Sequence, residues 1–104
     1  LLDAPCSGLG TLARKPDARW RISPEKIEEL VLVQANLLEG LLPLLEKGGT
    51  LVYSTCSIHP KENKYQIRNF IKKHPEIHLL EEKQIWPDLN NLGDGFYIAS
   101  MKLI

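Results

Sequence analysis

The sequence has two cysteines and no CxxC pair, so it holds neither the dense cysteine framework of a small secreted scaffold nor a zinc-binding pattern. It has no excess of either charge. Thirteen lysines and arginines balance thirteen aspartates and glutamates, and net charge therefore argues neither for nor against a nucleic-acid partner. No apolar run approaches membrane-spanning length and no secretory leader is present, which predicts no membrane association and a cytoplasmic location. An initiator methionine, internal repeats, coiled-coil heptads and low-complexity tracts are also lacking. A chain of 104 residues supports one small domain, thin for an enzyme that must hold both a cofactor and a substrate. Leu1-Leu2-Asp3 reads as the end of a strand already under way, so residues 1–104 are expected to be a fragment whose preceding part is absent.

What is present centres on residues 50–63, TLVYSTCSIHPKEN. Thr50-Leu51-Val52-Tyr53 is a short apolar, β-branched run after Gly48-Gly49, and it leads directly into Ser54-Thr55-Cys56-Ser57. Cys56 is thus expected at the C-terminal end of a strand, the edge where open α/β sheets bind ligands. Leu1-Leu2 leads into Asp3-Ala4-Pro5-Cys6-Ser7-Gly8 in the same way. Two apolar runs, each ending in a small polar turn with one cysteine, account for both cysteines in the chain.

Pro5 discourages helix at Ala4, and Gly8 and Gly10 permit a tight backbone. Residues 11–17 are expected to form a short helical turn broken at Pro16, and Trp20 to pack against a neighbouring helix rather than stack on a base. Arg14, Lys15, Arg19 and Arg21 cluster after the first cysteine, and Glu25, Glu28 and Glu29 follow at once. Ser23-Pro24-Glu25 opens a helix with an N-cap, a proline at the first position and an acid in the first turn. Ile27, Leu30, Val31, Gln34, Leu37, Leu38, Leu41, Leu42 and Leu45 then recur at helical spacing, with Gln34 as the polar exception. Val33 and Leu44 are expected to widen the apolar face, Pro43 to bend or loosen the last turn, and Gly48-Gly49 to stop the helix.

A second helix is expected over 60–73, burying Ile67, Phe70 and Ile71, marginally Tyr65, and turning Lys61, Lys64, Lys72 and Lys73 to water. His74-Pro75 ends it. Residues 77–80 read as a short strand, Glu81-Glu82 as acidic surface, 84–95 as a turn-rich loop pinned by Trp86 and Leu89, and 96–104 as a final strand. The order strand, helix, strand, helix, strand, strand predicts an α/β fold. Its first strands are parallel, and its last is free to return antiparallel in a mixed sheet.

If the crossover is short, Cys6 and Cys56 end neighbouring strands and flank one cleft with Asp3. A thiolate there can attack an electron-poor carbon while a second group manages a proton. Asp3 can accept a hydrogen bond from an amino group or, protonated, donate to a ring nitrogen. The bland alternatives are buried structural thiols, a thiol-redox pair, a metal site and a cysteine protease. Two cysteines and His59 make no zinc site. His59, His74 and His78 lie in positions that do not suit a protease dyad.

DAPCSG at 3–8, GGTLVYSTCSIHPKEN at 48–63 and DGFYIA at 94–99 resemble the Sun family of S-adenosylmethionine-dependent RNA cytosine-5 methyltransferases. RKPDARWR at 14–21 is most similar to the bacterial branch that modifies small-subunit (16S) ribosomal RNA. The resemblance implies the C-terminal half of a Rossmann-like class I methyltransferase domain. Its strands would stand in the order first, second, fourth, third, with the fourth antiparallel and the first strand an exposed edge able to pair with another copy.

It implies Cys56 as the nucleophile on carbon 6 of cytosine. Cys6 would help to remove the carbon 5 proton or break down the adduct, and Asp3 would bond the cytosine edge. Pro5, Ser7, Gly8, Thr55 and Ser57 would lie against the target nucleotide, which must leave any stack. Arg14, Lys15, Arg19 and Arg21 would contact RNA phosphates, the alternative being a solvated basic face. Asp3 and Pro5 would also border S-adenosyl-L-methionine. Glu62 and Asn63 would fix the turn and helix start after Cys56, and Asp94 and Gly95 would support the cleft. The family's glycine-rich cofactor loop, acidic ribose-binding position, upstream lysine and N-terminal RNA-binding domain have no counterpart in these residues. The 104 residues alone are therefore expected to be inactive. A non-catalytic RNA-binding or assembly module, or an amino-nitrogen methyltransferase of the same fold, are the alternatives.

Overall fold

The computed structural model describes residues 1–5, 23–86 and 95–104. Cys6, Ser7, Gly8, Arg14, Lys15, Arg19, Arg21, Trp20, Leu89 and Asp94, with the turn expected over 11–17, lie outside the described residues.

Strand β1 is short, Leu2–Asp3. Helix α1, Pro24–Leu41, starts where its cap predicts: the Ser23 hydroxyl accepts the Lys26 amide at 3.1 Å, Pro24 fills the first position, and Glu25 lies in the first turn. Pro43 falls within a tighter 3₁₀ turn, Leu42–Leu44, that ends the helical run. Gly48 then has φ +84°, and a Cβ on Gly49 would lie 2.8 Å from the Glu46 carbonyl oxygen, so both positions need glycine. Ile27, Gln34 and Leu38 form the buried line of α1. Val33 and Leu44 do not widen it. Both are exposed, as are Leu32 and Leu37: Leu32, Val33 and Leu37 lie roughly 80° or more around the helix from the arc centred on Gln34 and Leu38, and Leu44 lies past the end of α1 in the 3₁₀ turn.

Strand β2, Thr50–Thr55, runs two residues beyond the expected 50–53 and delivers Cys56 directly at its end. Helix α2 is Lys64–Lys73 rather than 60–73. Residues 60–63 form hydrogen-bonded turns instead, with the Asn63 amide bonded to the Pro60 carbonyl at 3.2 Å.

Strand β3, Ile77–Ile85, is more than twice the expected length, and β4 is Phe96–Leu103. The acidic stretch belongs to β3 because a bulge between Leu79 and Glu81 changes the register. Glu82 then meets the Arg68 guanidinium at 2.9 and 3.2 Å and the Tyr97 hydroxyl at 2.5 Å. Trp86, expected to pin a loop, follows β3 and is exposed.

The sheet order is β1-β2-β4-β3, with β1 parallel to β2 and β4 antiparallel to both its neighbours. The expected mixed α/β sheet is present, and β1 forms one edge. Both helices cover one face, where the buried pairs Leu51/Met101, Tyr53/Ala99 and Thr55/Tyr97 alternate with half-buried residues of the other face. Leu38, Ile67 and Phe70 close this core, and Ala4 joins it directly after β1.

Candidate active site

Parallel pairing sets Leu2 opposite Tyr53 and Asp3 opposite Ser54, so β1 and β2 end side by side. The Ala4 amide donates to the Ser54 carbonyl at 2.8 Å, and the Ser54 hydroxyl donates to Asp3 Oδ1 at 3.2 Å. Beyond these ends opens a cleft of about 400 Å³ lined by Leu1, Asp3, Ser54, Thr55, Cys56, Gly95, Phe96 and Ile98. Asp3 and Cys56, predicted from the two strand ends, do line one cleft, and Gly95 supports it from the start of β4. Cys56 is a free, exposed thiol. The cleft thus combines an accessible soft nucleophile, one carboxylate and apolar walls, which suits a flat polar ring.

The support beneath Cys56 is polar and almost fully buried. Asn63 grips both sides of the cysteine: its Oδ1 accepts the Thr55 hydroxyl at 2.5 Å, and its Nδ2 donates to the Ser57 carbonyl at 2.7 Å. The same Nδ2 reaches Gln84 Oε1 on β3 at 2.8 Å. Thr55 Oγ1 also accepts the Ser57 amide at 3.2 Å, which folds the chain tightly around Cys56. Asn63 precedes α2, but its side chain makes no capping hydrogen bond, so it serves the cysteine loop rather than the helix start.

Ser57, expected beside the nucleotide, is fully buried. Its hydroxyl donates to Glu62 Oε2 and accepts the His59 amide at 3.0 Å, so it supports the loop from below. Thr55 is 1% exposed and reaches the cleft only as part of its wall. Pro5 is exposed, but its carbonyl turns inward to accept Gln34 Nε2 at 2.9 Å. His59 turns its Nδ1 to its own loop, where it accepts the Lys61 amide at 3.2 Å.

The residues missed as site residues are Gln34, Gln66 and Gln84, amides from α1, α2 and β3 that complete this network. A glutamine within an apolar helical stripe was the only sequence signal among them. Among the described residues, no group of three His, Cys, Asp or Glu side chains could hold a metal ion, and no helix is long and apolar enough to cross a membrane.

Residues 1–102 match the family model described as 16S rRNA methyltransferase RsmB/F. A curated relative, ribosomal RNA small subunit methyltransferase B of Photorhabdus laumondii, is 46% identical over 97% of this chain and 25% of its own length. The chain spans about a quarter of the length of the curated relatives it matches. Among solved structures, NSun6 from Pyrococcus horikoshii with SFG aligns at a TM-score of 0.83 and 28% identity, over 98% of this chain and 29% of that one. A methyltransferase homolog protein from the same organism aligns at 0.79 and 29% identity, over 99% and 38%. The fold is therefore that of part of a Rossmann-like methyltransferase domain.

Proposed function

Since the chain belongs to the RsmB/F family of 16S rRNA methyltransferases, we propose that it forms the target-base side of the catalytic domain of a cytoplasmic RNA cytosine-5 methyltransferase. The observation that carries this reading is Cys56: an exposed thiol at a strand end, in a cleft with Asp3, gripped on both flanks by Asn63.

Carbon 5 of cytosine is a weak nucleophile. When the Cys56 thiolate bonds to carbon 6, electron density moves to carbon 5 and a carbon–sulfur adduct forms. Asp3, at the neighbouring strand end, accepts from the exocyclic amino group and so orients the ring or, protonated, donates to the ring nitrogen and stabilises the negative charge that builds there as the thiolate adds. S-adenosyl-L-methionine supplies the methyl group that carbon 5 takes. The carbon 5 proton then leaves to a base, a role assigned to Cys6, and the bond from Cys56 to carbon 6 breaks to return the thiolate. The target nucleotide enters unstacked, as a ring buried in a cleft must.

The described residues fit the base better than the methyl donor. Toward the donor the cleft offers the Asp3 carboxylate, whereas the Pro5 carbonyl is occupied by Gln34. The remaining cofactor surface and an RNA-binding domain are assigned to segments beyond these 104 residues. Ser7, Gly8 and the cluster Arg14, Lys15, Arg19 and Arg21 retain the nucleotide and phosphate contacts assigned above as proposals.

The test is methyl transfer from labelled S-adenosylmethionine to small-subunit rRNA by the full-length protein, followed by nucleoside digestion. The label should appear in 5-methylcytidine and vanish with Cys56→Ser. Label on the exocyclic nitrogen would replace this reading with the amino-methyltransferase one.

A further inference from the structure

Gln34 sits in the middle of an otherwise apolar helical stripe and is fully buried. Its amide is used on every side. One Nε2 proton goes to the Pro5 carbonyl at 2.9 Å and the other to Glu62 Oε1 at 3.2 Å. Its Oε1 accepts from Gln66 Nε2 at 3.2 Å, and Gln66 also donates to the Val31 carbonyl at 2.8 Å, which fixes which way the Gln34 amide faces. Glu62, also fully buried, takes the Ser57 hydroxyl on its other oxygen. Its backbone carbonyl accepts the Tyr53 hydroxyl at 2.6 Å, so the carboxylate stands on a pinned backbone.

The hydrogen bonds form a continuous path from Pro5 through Gln34 and Glu62 to Ser57. Pro5 is the residue before Cys6, and Ser57 is the residue after Cys56. An apolar side chain at position 34 would complete the stripe without burying a polar group, and a buried carboxylate is costly unless hydrogen-bonded. Replacing Gln34 alone would take this donor from both the Pro5 carbonyl and Glu62 Oε1, so the path is kept or lost as a unit. Asn63 holds Cys56 from both flanks but has no contact with Pro5 among its hydrogen bonds.

We propose that Gln34 and Glu62 are positioning residues that hold the backbone at Pro5, the residue before Cys6 in the sequence, in register with the loop carrying Cys56. The role rests on the two-cysteine reading above. In that reading one cysteine makes the adduct and the other helps to release it, so the Gln34–Glu62 bridge governs release more than formation. Losing it leaves Cys56 gripped by Asn63 and able to add to the base, while the release step loses its alignment.

The experiment uses the full-length protein with unmodified small-subunit rRNA and S-adenosylmethionine. It measures covalent protein–RNA complex on denaturing gels beside turnover. Gln34→Met keeps the length of the side chain and removes its hydrogen bonds to the Pro5 carbonyl, Glu62 and Gln66. It should raise the ratio of trapped complex to product about tenfold while the single-turnover rate of adduct formation stays within about threefold of wild type. Glu62→Gln offers one acceptor oxygen where the carboxylate offers two, so it cannot accept from both Gln34 and Ser57 and should shift the ratio in the same direction. Ile67→Val, a core substitution outside the bridge, controls for lost stability and should leave the ratio unchanged.

Equal losses of formation and release in Gln34→Met and Glu62→Gln, or no change in either, would overturn the proposal. A variant too unstable to assay is replaced by the other, which decides the outcome. A wild-type protein that forms no Cys56-dependent adduct even with 5-fluorocytidine RNA overturns the underlying reading instead, and that result is distinct from an unchanged ratio.

Discussion

Asn63 shows how much one side chain can do that its sequence context conceals. An asparagine just before a helix invites an N-cap reading, yet its amide is committed to Thr55, Ser57 and Gln84, and the helix starts without it. Cys56 was legible because strand patterning and a small polar turn suffice to set a residue at a sheet edge. The network below it was not, because hydrogen-bond partners 20 to 35 residues apart leave no local period. Asn63→Asp retains an acceptor for Thr55 but turns a second oxygen toward the Ser57 carbonyl and Gln84 Oε1. It should therefore slow adduct formation in the full-length protein by about tenfold or more, measured by single-turnover trapping. Gln34→Met should not slow that step to the same degree, and the contrast separates gripping one cysteine from aligning two.

Among the elements, β3 departs most from what its residues suggest. Glu81-Glu82 reads as surface, but an edge strand tolerates charge, and the bulge after Leu79 turns Glu82 toward Arg68 of α2 and Tyr97 of β4. Helix α1 was predicted well at its start and along its apolar line because capping and periodicity are local, although it ends at Leu41 and not at the expected Gly48-Gly49 stop. Its width was not, since periodicity cannot say how much of a face its neighbours cover, and Val33 and Leu44 are exposed. The latch on Glu82 is testable. Tyr97→Phe should cost about 1 kcal/mol of local stability, seen as faster amide exchange across β3. Burial first, and then the Glu82 carboxylate that takes its proton in a hydrogen bond, push the Tyr97 phenol above its ordinary value of 10.0. The unfolded chain therefore loses this proton before the folded one does. The stabilisation is complete below pH about 10 and declines above it, and thermal unfolding of Tyr97→Phe should lack that part of the alkaline decline.

At the scale of the molecule, the sheet order and its antiparallel last strand followed from the element order together with the family resemblance. The hydrogen-bond network beneath Cys56 followed from neither. The cleft holds an exposed thiol and one carboxylate, and a quarter of a relative's length is little in which to hold a cofactor as well. Purified alone, residues 1–104 should transfer no methyl group to rRNA. Among the described residues only β2 lies beside β1, and residues 1–104 should therefore also elute as a species larger than a monomer through pairing at that edge; a monomeric profile would rule self-association out. The central claim is that Cys56 bonds to carbon 6 of a cytosine. The measurement that tests it most directly is mass-spectrometric mapping of the RNA adduct formed by the full-length protein with 5-fluorocytidine-substituted small-subunit rRNA. The account predicts one modified peptide, containing Cys56, and no adduct in Cys56→Ser. An adduct mapped to another residue, or methylation of unsubstituted RNA that persists in Cys56→Ser, would contradict it.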